Sequence, residues 1–252
     1  MSFRHAVELL RADRLPFTPG AGGEPPKQST VRKLPAPIVR DADDRQVLRE
    51  VVDFYHEALK QSPEALQYLE KRGLKSSAML EHFHLGFANR TLGYRLPNKN
   101  RQEGAELRGR LQKLGILRES WHEHFNGAVV GMYGRKITPG LREGTPLHLY
   151  LPGPHRGVWN EAALVTSKEI ILCEALIDAL TFWCAGYRHV TASYGVNGFT
   201  ADHQAAFEKH GTRKVFIAYD RDEAGEAAAG PLAEECVPSM FDSLEVEVLF
   251  TT

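Results

Sequence analysis

"FIAYDRDEAG", residues 216–225, runs an apolar strand-forming segment straight into two aspartates and a glycine. Phe216, Ile217, Ala218 and Tyr219 read as the end of a buried strand, and Asp220 and Asp222 follow with one residue between them. At a strand end, residues i and i+2 point to the same side. The two carboxylates therefore aim at one place, which is unfavourable unless a cation lies between them. The bland alternative is helix capping, because an acidic residue after a strand also serves as an N-cap, and Asp222 ahead of Glu223 suits that role.

Around this stretch the last third of the chain keeps a regular rhythm. "EIILCE" (169–174), "HVTASYG" (189–195), "KVFIAYD" (214–220) and "LEVEVLF" (244–250) have strand character. Between them, "ALIDALTFWCAG" (175–186), "TADHQAAFEKHG" (200–211) and "EAGEAAAGPLAEE" (223–235) have helical character. Thr200 caps the second helix and Gly211 closes it. Pro231 is expected to kink or split the third. Alternation of this kind builds an α/β fold, a parallel sheet with helices on its faces.

Upstream, 47–59 is an amphipathic helix carrying Val47, Val51, Phe54, Tyr55, Ala58 and Leu59 on one stripe. A second helix starts with Ser62 as N-cap and Pro63 at its first position, runs to about Arg72 and stops at Gly73. A third begins near Ser76. The segment from Gly86 to Trp159 is dense in glycine, aromatic and basic residues, and "AVVGMYGRKI" (128–137) and "LHLYLPG" (147–153) read as strands. The organisation expected is a short helical segment at 1–15, a Pro/Gly-rich flexible linker at 16–46, a smaller basic α+β subdomain at 47–160 and the α/β domain at 161–252.

Charge divides the same way. The net charge is −1, yet residues 1–160 hold 25 Lys/Arg against 17 Asp/Glu, and residues 161–252 hold 6 against 15. A basic part joined to an acidic part suits a polyanion held by one and metal ions by the other. The longest apolar stretch, 170–183, is interrupted by Glu174 and Asp178, which excludes a membrane span there. The N-terminus has no secretory pattern. Cys173, Cys184 and Cys236 form no C-x-x-C pair, which argues for reduced thiols and a cytoplasmic location and against a zinc ribbon.

In an open α/β sheet, sites lie at the carboxyl ends of strands. Glu174 closes the first strand, Asp178 lies four residues on, and Asp220 and Asp222 close the third. Glu174 and Asp178 share a helix face if the helix starts directly after the strand. Four carboxylates on one rim suit Mg²⁺ or Mn²⁺ and two-metal phosphoryl transfer, and no zinc is expected. His82 and His84, and His122 and His124, have spacings a metal could use on a strand, but without further ligands they read as surface or half-buried histidines. Of the tryptophans, Trp183 lies in an apolar helix and reads as core, while Trp121 and Trp159 are candidates for stacking on bases.

"ILCEALIDAL" (171–180), "ASYGVNGFTADH" (192–203) and "FIAYDRDEAGEAAA" (216–229) resemble the motifs of the TOPRIM domain, shared by bacterial replicative primases, topoisomerases and some nucleases. "YLEKRGLKSSAMLEHFHLGFA" (68–88), "MYGRKI" (132–137) and "HLYLPGPHRGVWN" (148–160) extend the resemblance to the catalytic core of DnaG-type primases over roughly residues 50–230. "MSFRHAVELLRA" (1–12) is similar to the tail of the zinc-binding domain that precedes such cores.

The resemblance implies that Glu174, Asp220 and Asp222 are catalytic metal-binding carboxylates with Asp178 in support. It also implies that Arg72, Arg135, Lys136 and Arg156 grip template and incoming nucleotide. The implied reaction is synthesis of short RNA primers on single-stranded DNA from nucleoside triphosphates, with a replicative helicase or a separate zinc-domain protein as further partners. A TOPRIM nuclease and an inactive nucleic-acid-binding remnant are the alternatives.

The departures are a missing cysteine-rich ribbon, a shortened hairpin at "FNGAVVGMYG" (125–134) and a histidine, His148, where the family has a lysine. The family also continues beyond the last strand. A minimal version, one piece of a split system and a copy on a mobile element all fit these departures.

Overall fold

The computed structural model describes residues 36–38, 43–125, 127–130, 133–137, 140–146, 148–220, 222–236 and 245–251. The helix expected at 1–15 and most of the linker expected at 16–46 lie outside them. The described residues fall into two units, one drawn from Met1–Ala65 and Leu85–Leu151, the other from Leu66–His84 and Pro152–Thr252. Residues 66–84, assigned from sequence to the basic subdomain, thus group with the α/β unit.

The first unit is built on helix α1 (Asp44–Lys60), which starts inside the expected linker because Asp43 caps it, accepting the Gln46 N–H at 2.7 Å. Val47, Val51, Tyr55 and Leu59, one turn apart, are all buried. Helix α2 (Pro63–Lys71) follows, ended by Gly73 at φ 76°. Ser62 does not cap it through its side chain; its hydroxyl donates to the Ala58 carbonyl at 2.6 Å, finishing the previous helix instead. Helix α3 (Ser77–His82), capped by Ser76, belongs to the second unit.

Strand β1 (Gly86–Ala88), short helix α4 (Leu92–Arg95) and helix α5 (Gln102–Lys113) come next. The sequence reading overlooked α5, whose signal is faint: Leu107 and Leu111 are its only large buried apolar residues, beside Gly104 and Arg108. Strands β2 (Gly127–Val130), β3 (Tyr133–Arg135) and β4 (His148–Tyr150) complete an antiparallel sheet in the order β1-β2-β3-β4. "AVVGMYGRKI" is therefore a hairpin of two strands. Tyr55, Leu107, Leu111 and Phe125 anchor this unit's core.

One polar pair sits inside that core. The Tyr55 hydroxyl donates to Glu123 Oε2 at 3.0 Å, and the Gly93 N–H reaches Glu123 Oε1 at 3.5 Å. Burial outweighs these bonds and pushes the Glu123 carboxyl up to about 7.

The second unit opens with helix α6 (Ala162–Thr166) and strand β5 (Glu169–Cys173), then helix α7 (Leu176–Cys184) and strand β6 (Val190–Ala192). Helix α8 (Ala201–His210), strand β7 (Lys214–Asp220), helix α9 (Glu223–Cys236) and strand β8 (Glu245–Thr251) follow. The sheet is wholly parallel in the order β6-β5-β7-β8. Its central strands are nearly continuous apolar runs, as the buried strands of parallel sheets are. Leu172, Val215, Ile217 and Tyr219 pack with Phe207 and Leu232.

Pro231 neither splits nor ends α9; it is exposed, where a carbonyl that loses its helical donor can face water. Buried His203 accepts the Thr200 N–H at Nδ1 and so donates from Nε2 to the Ala192 carbonyl, tying α8 to the end of β6. Trp183 is buried, as its apolar helix suggested. No helix among the described residues is long and apolar enough to cross a membrane.

The raised Glu123 carboxyl makes the first unit pH-sensitive. An unfolded glutamate ionises near 4.5, but Glu123 in the fold holds its proton to about 7, so stability is lost as pH rises between those values. Glu123→Gln removes that loss, which for such a shift is roughly 3 kcal/mol at most. Urea unfolding at pH 5 and pH 8 checks this: the variant should lose clearly less stability across that interval than the parent.

Candidate active site

The carboxylate rim is produced by strand pairing. β5 and β7 are parallel neighbours with Cys173 opposite Ala218, so Glu174 and Asp220 leave the sheet side by side. The chain moves from β5 to β6 on one flank and then crosses back past β5 to β7 on the other. The crevice at such a reversal, beyond the carboxyl ends of the strands, is where open α/β sheets place ligands.

The charges sense one another there. Burial pushes the Glu174 carboxyl up, and Asp220, Asp222 and Asp178 each push it further, while a hydrogen bond from the Asp220 backbone pulls the other way. The buried Cys173 thiol is raised by burial and then by Asp178 and Asp220. Glu174 and Asp178 do not share a helix face, however. Ala175 is extended at φ −122° and ψ 157°, so α7 begins only at Leu176. Glu174 thus ends the strand and Asp178 occupies the first helical turn, where the helix dipole favours its charge.

Asp222 fills the capping role weighed from sequence. Its Oδ1 accepts the Gly225 N–H at 2.8 Å, capping α9. Gly225 itself is required by close approach: a Cβ there would stand 2.1 Å from the Asp220 carbonyl oxygen. The glycine lets the helix start hard against the strand end and so keeps Asp222 beside Asp220.

Among the described residues no three Asp, Glu, His or Cys side chains stand close enough to share an ion, so closing a ligand set requires side chains to turn. The donors nevertheless fit a hard divalent cation. Glu174, Asp178, Asp220 and Asp222 offer only oxygen, and burial keeps the neighbouring Cys173 thiol protonated.

Beside the rim, Ser193 at the end of β6 bonds the Tyr219 hydroxyl at 2.7 Å, and the Gly195 N–H donates to the Glu174 carbonyl at 3.1 Å. Tyr194 between them donates to the carbonyls of Arg156 and Gly157 at 3.1 and 2.9 Å, and its ring stacks on His155. The exposed Arg156 is therefore carried by a loop pinned next to the Glu174 backbone. Arg72 is not drawn in this way; its guanidinium lies 5.5 Å from the Tyr68 ring centroid in its own helix.

Arg135 and Lys136 belong to the other unit. Arg135 stands opposite His148 across the sheet and donates from Nη1 to His148 Nε2 at 2.5 Å. That leaves the proton on His148 Nδ1, facing the Tyr133 hydroxyl. His148 thus serves as a neutral brace for Arg135. Gly134 is needed because a Cβ would stand 2.6 Å from the Phe125 ring.

The Lys136 ammonium is lowered by partial burial, then by Arg118 and Arg90. Sequence reasoning missed these two arginines, which lie in no motif and reach Lys136 only through the fold. Of the paired histidines, His82 stacks on Trp183, His84 bonds the Glu81 carbonyl at 3.1 Å and His124 bonds the Tyr150 carbonyl at 2.7 Å.

The Toprim-like family model matches residues 171–247, from within β5 to within β8, and so includes all four carboxylates. A Helicobacter pylori protein named DNA primase is 25% identical over 214 residues, covering 74% of this chain and 36% of its own length. The solved structure of the DnaG catalytic core is 27% identical, covers 81% of this chain and 70% of that one, and has a TM-score of 0.62. The DnaG primase catalytic domain bound to ssDNA is 26% identical, covers 81% and 72%, and has a TM-score of 0.61. The chain is similar to the catalytic core of DnaG-type primases. This primase-like chain spans about a third of the length of that curated relative. The fold family implies a divalent cation in general, and the oxygen donors of the rim agree with one.

The contact under Gly225 is directly testable. Gly225→Ala should destabilise the second unit by about 2 kcal/mol, through overpacking against the Asp220 carbonyl, and thermal unfolding measures it. An unchanged melting temperature would show that α9 can draw back from the strand at no cost.

Proposed function

We propose that this chain synthesises short RNA primers on single-stranded DNA, by a primase-type nucleotidyl transfer. The observation that carries the reading is the meeting of Glu174 with Asp220 at adjacent parallel strand ends, with Asp178 and Asp222 close enough to raise the Glu174 carboxyl further. The likeness to DnaG catalytic cores, one of them bound to ssDNA, supports it.

In this reading Glu174, Asp220 and Asp222, aided by Asp178, hold Mg²⁺ or Mn²⁺. Such ions lower the pKa of a ribose 3′-hydroxyl and offset the charge of a departing pyrophosphate. The chain's own groups do the positioning. The Asp222 cap and the Gly225 approach hold the acidic loop against the sheet, so its charges are organised before substrate arrives. Arg156 meets triphosphate oxygens, for which a guanidinium fork is suited. Arg135, oriented by His148, and Lys136 hold template phosphates; Arg72 contributes charge alone. A replicative helicase or a zinc-domain protein is a further partner in this reading. The free thiols of Cys173 and Cys184 agree with a cytoplasmic setting.

Single-stranded DNA, labelled nucleoside triphosphates and a divalent cation test the reading, with new oligonucleotides as the expected product. Shortened DNA would indicate a nuclease instead, and binding without product an inactive remnant. Asp220→Ala should abolish synthesis while leaving DNA affinity largely intact; full activity in the variant would remove Asp220 from the chemistry. Arg135→Ala should weaken template binding and flatten its salt dependence by about one counterion, as binding isotherms across a salt series would record.

A further inference from the structure

Trp121 is an exposed indole held in an unfavourable backbone. It is 38% exposed, and its φ of 67° lies in the left-handed region that large side chains avoid. The backbone is locked there by its surroundings. Trp121 N–H closes a turn on the Arg118 carbonyl at 2.8 Å, Arg118 N–H donates to His122 at 2.8 Å, and Leu117 bridges Glu123. Gln112 on α5 donates to the Arg118 carbonyl at 3.0 Å, and the Arg118 guanidinium returns to the His124 carbonyl at 3.3 Å. A glycine or asparagine would occupy this turn at lower cost, so turn geometry does not account for the indole.

This hairpin carries one exposed carboxylate, Glu119, against a larger group of cations. Arg118 starts the turn that Trp121 ends, and both Arg118 and Arg90 are near enough to Lys136 to disfavour its protonation. An aromatic face beside clustered cations is the combination that single-stranded nucleic acid uses, with bases on the ring and phosphates on the charges. We infer that Trp121 is a stacking platform for a base of single-stranded nucleic acid, whose flanking phosphates lie on Arg118, Arg90 and Lys136. This rests on the template-binding reading above and extends it to a hairpin that no motif marks.

The test is binding of the full chain to fluorescein-labelled oligo-dT at fixed salt, followed by anisotropy. Trp121→Ala should weaken binding by about tenfold, the usual loss for one base stacked on an aromatic ring, whereas Trp121→Phe should stay close to the parent. On a strand made abasic throughout, the parent and Trp121→Ala should bind equally. Trp121→Gly separates function from folding: glycine relieves the left-handed backbone, so its melting temperature should hold or rise while its DNA affinity falls as for alanine.

Equal oligo-dT binding by Trp121→Ala and the parent, with Arg135→Ala still weakened, would overturn the platform and leave the template-binding reading standing. A loss that persists on the abasic strand would also overturn it, since stacking needs a base. A parent chain that binds no DNA at low salt would take down both.

Discussion

The parallel pairing of β5 with β7 is the constraint on which the second unit depends. It sets Glu174 beside Asp220 at the point where the sheet reverses its winding, and it does so with buried strands that cannot slip. A shift of one residue would turn Leu172 and Ile217, both fully buried, toward the opposite face. Apolar burial in the sheet thus holds together carboxylates that repel one another, and the Glu174 carboxyl is raised first by burial and then by that repulsion. A cation is the species such an arrangement favours most strongly, because it converts the repulsion into attraction.

The first unit handles charge in a different way. One of its acidic side chains, Glu123, is inside, bonded to Tyr55 and pushed toward neutrality by burial. Its cationic groups are presented at the sheet and the hairpin, and Arg135 donates to the His148 imidazole. Under the proposed reading, the asymmetry of charge along the chain becomes a division of tasks, with metal and triphosphate on one unit and polynucleotide phosphate on the other.

Much of this was legible in the residues. "FIAYDRDEAG" carries a strand, a charged corner and a glycine-opened helix in order, and the alternation around it leaves little choice but a parallel sheet. The overlooked helix α5 shows the limit of such reading, since two leucines a turn apart among charged residues and glycines give little amphipathic signal. Ser62 shows another limit. A serine before a proline reads as a cap, yet the preceding helix left a carbonyl at Ala58 that the hydroxyl satisfied first. The Glu174–Asp178 relation also turned on one backbone angle, the extended Ala175, which no side-chain pattern announces.

The sequence by itself determined the α/β rhythm, the acidic corner after β7 and the core character of Trp183. Each of these follows from local periodicity among residues close in the chain. Only the tertiary structure decided that β5 and β7 are neighbours, that His148 is a neutral brace for Arg135, that Arg90 and Arg118 come near Lys136, and that Trp121 is exposed. These depend on segments tens of residues apart meeting at a register set by buried apolar packing, and Coulomb interactions between side chains exist only once that packing has fixed the distances.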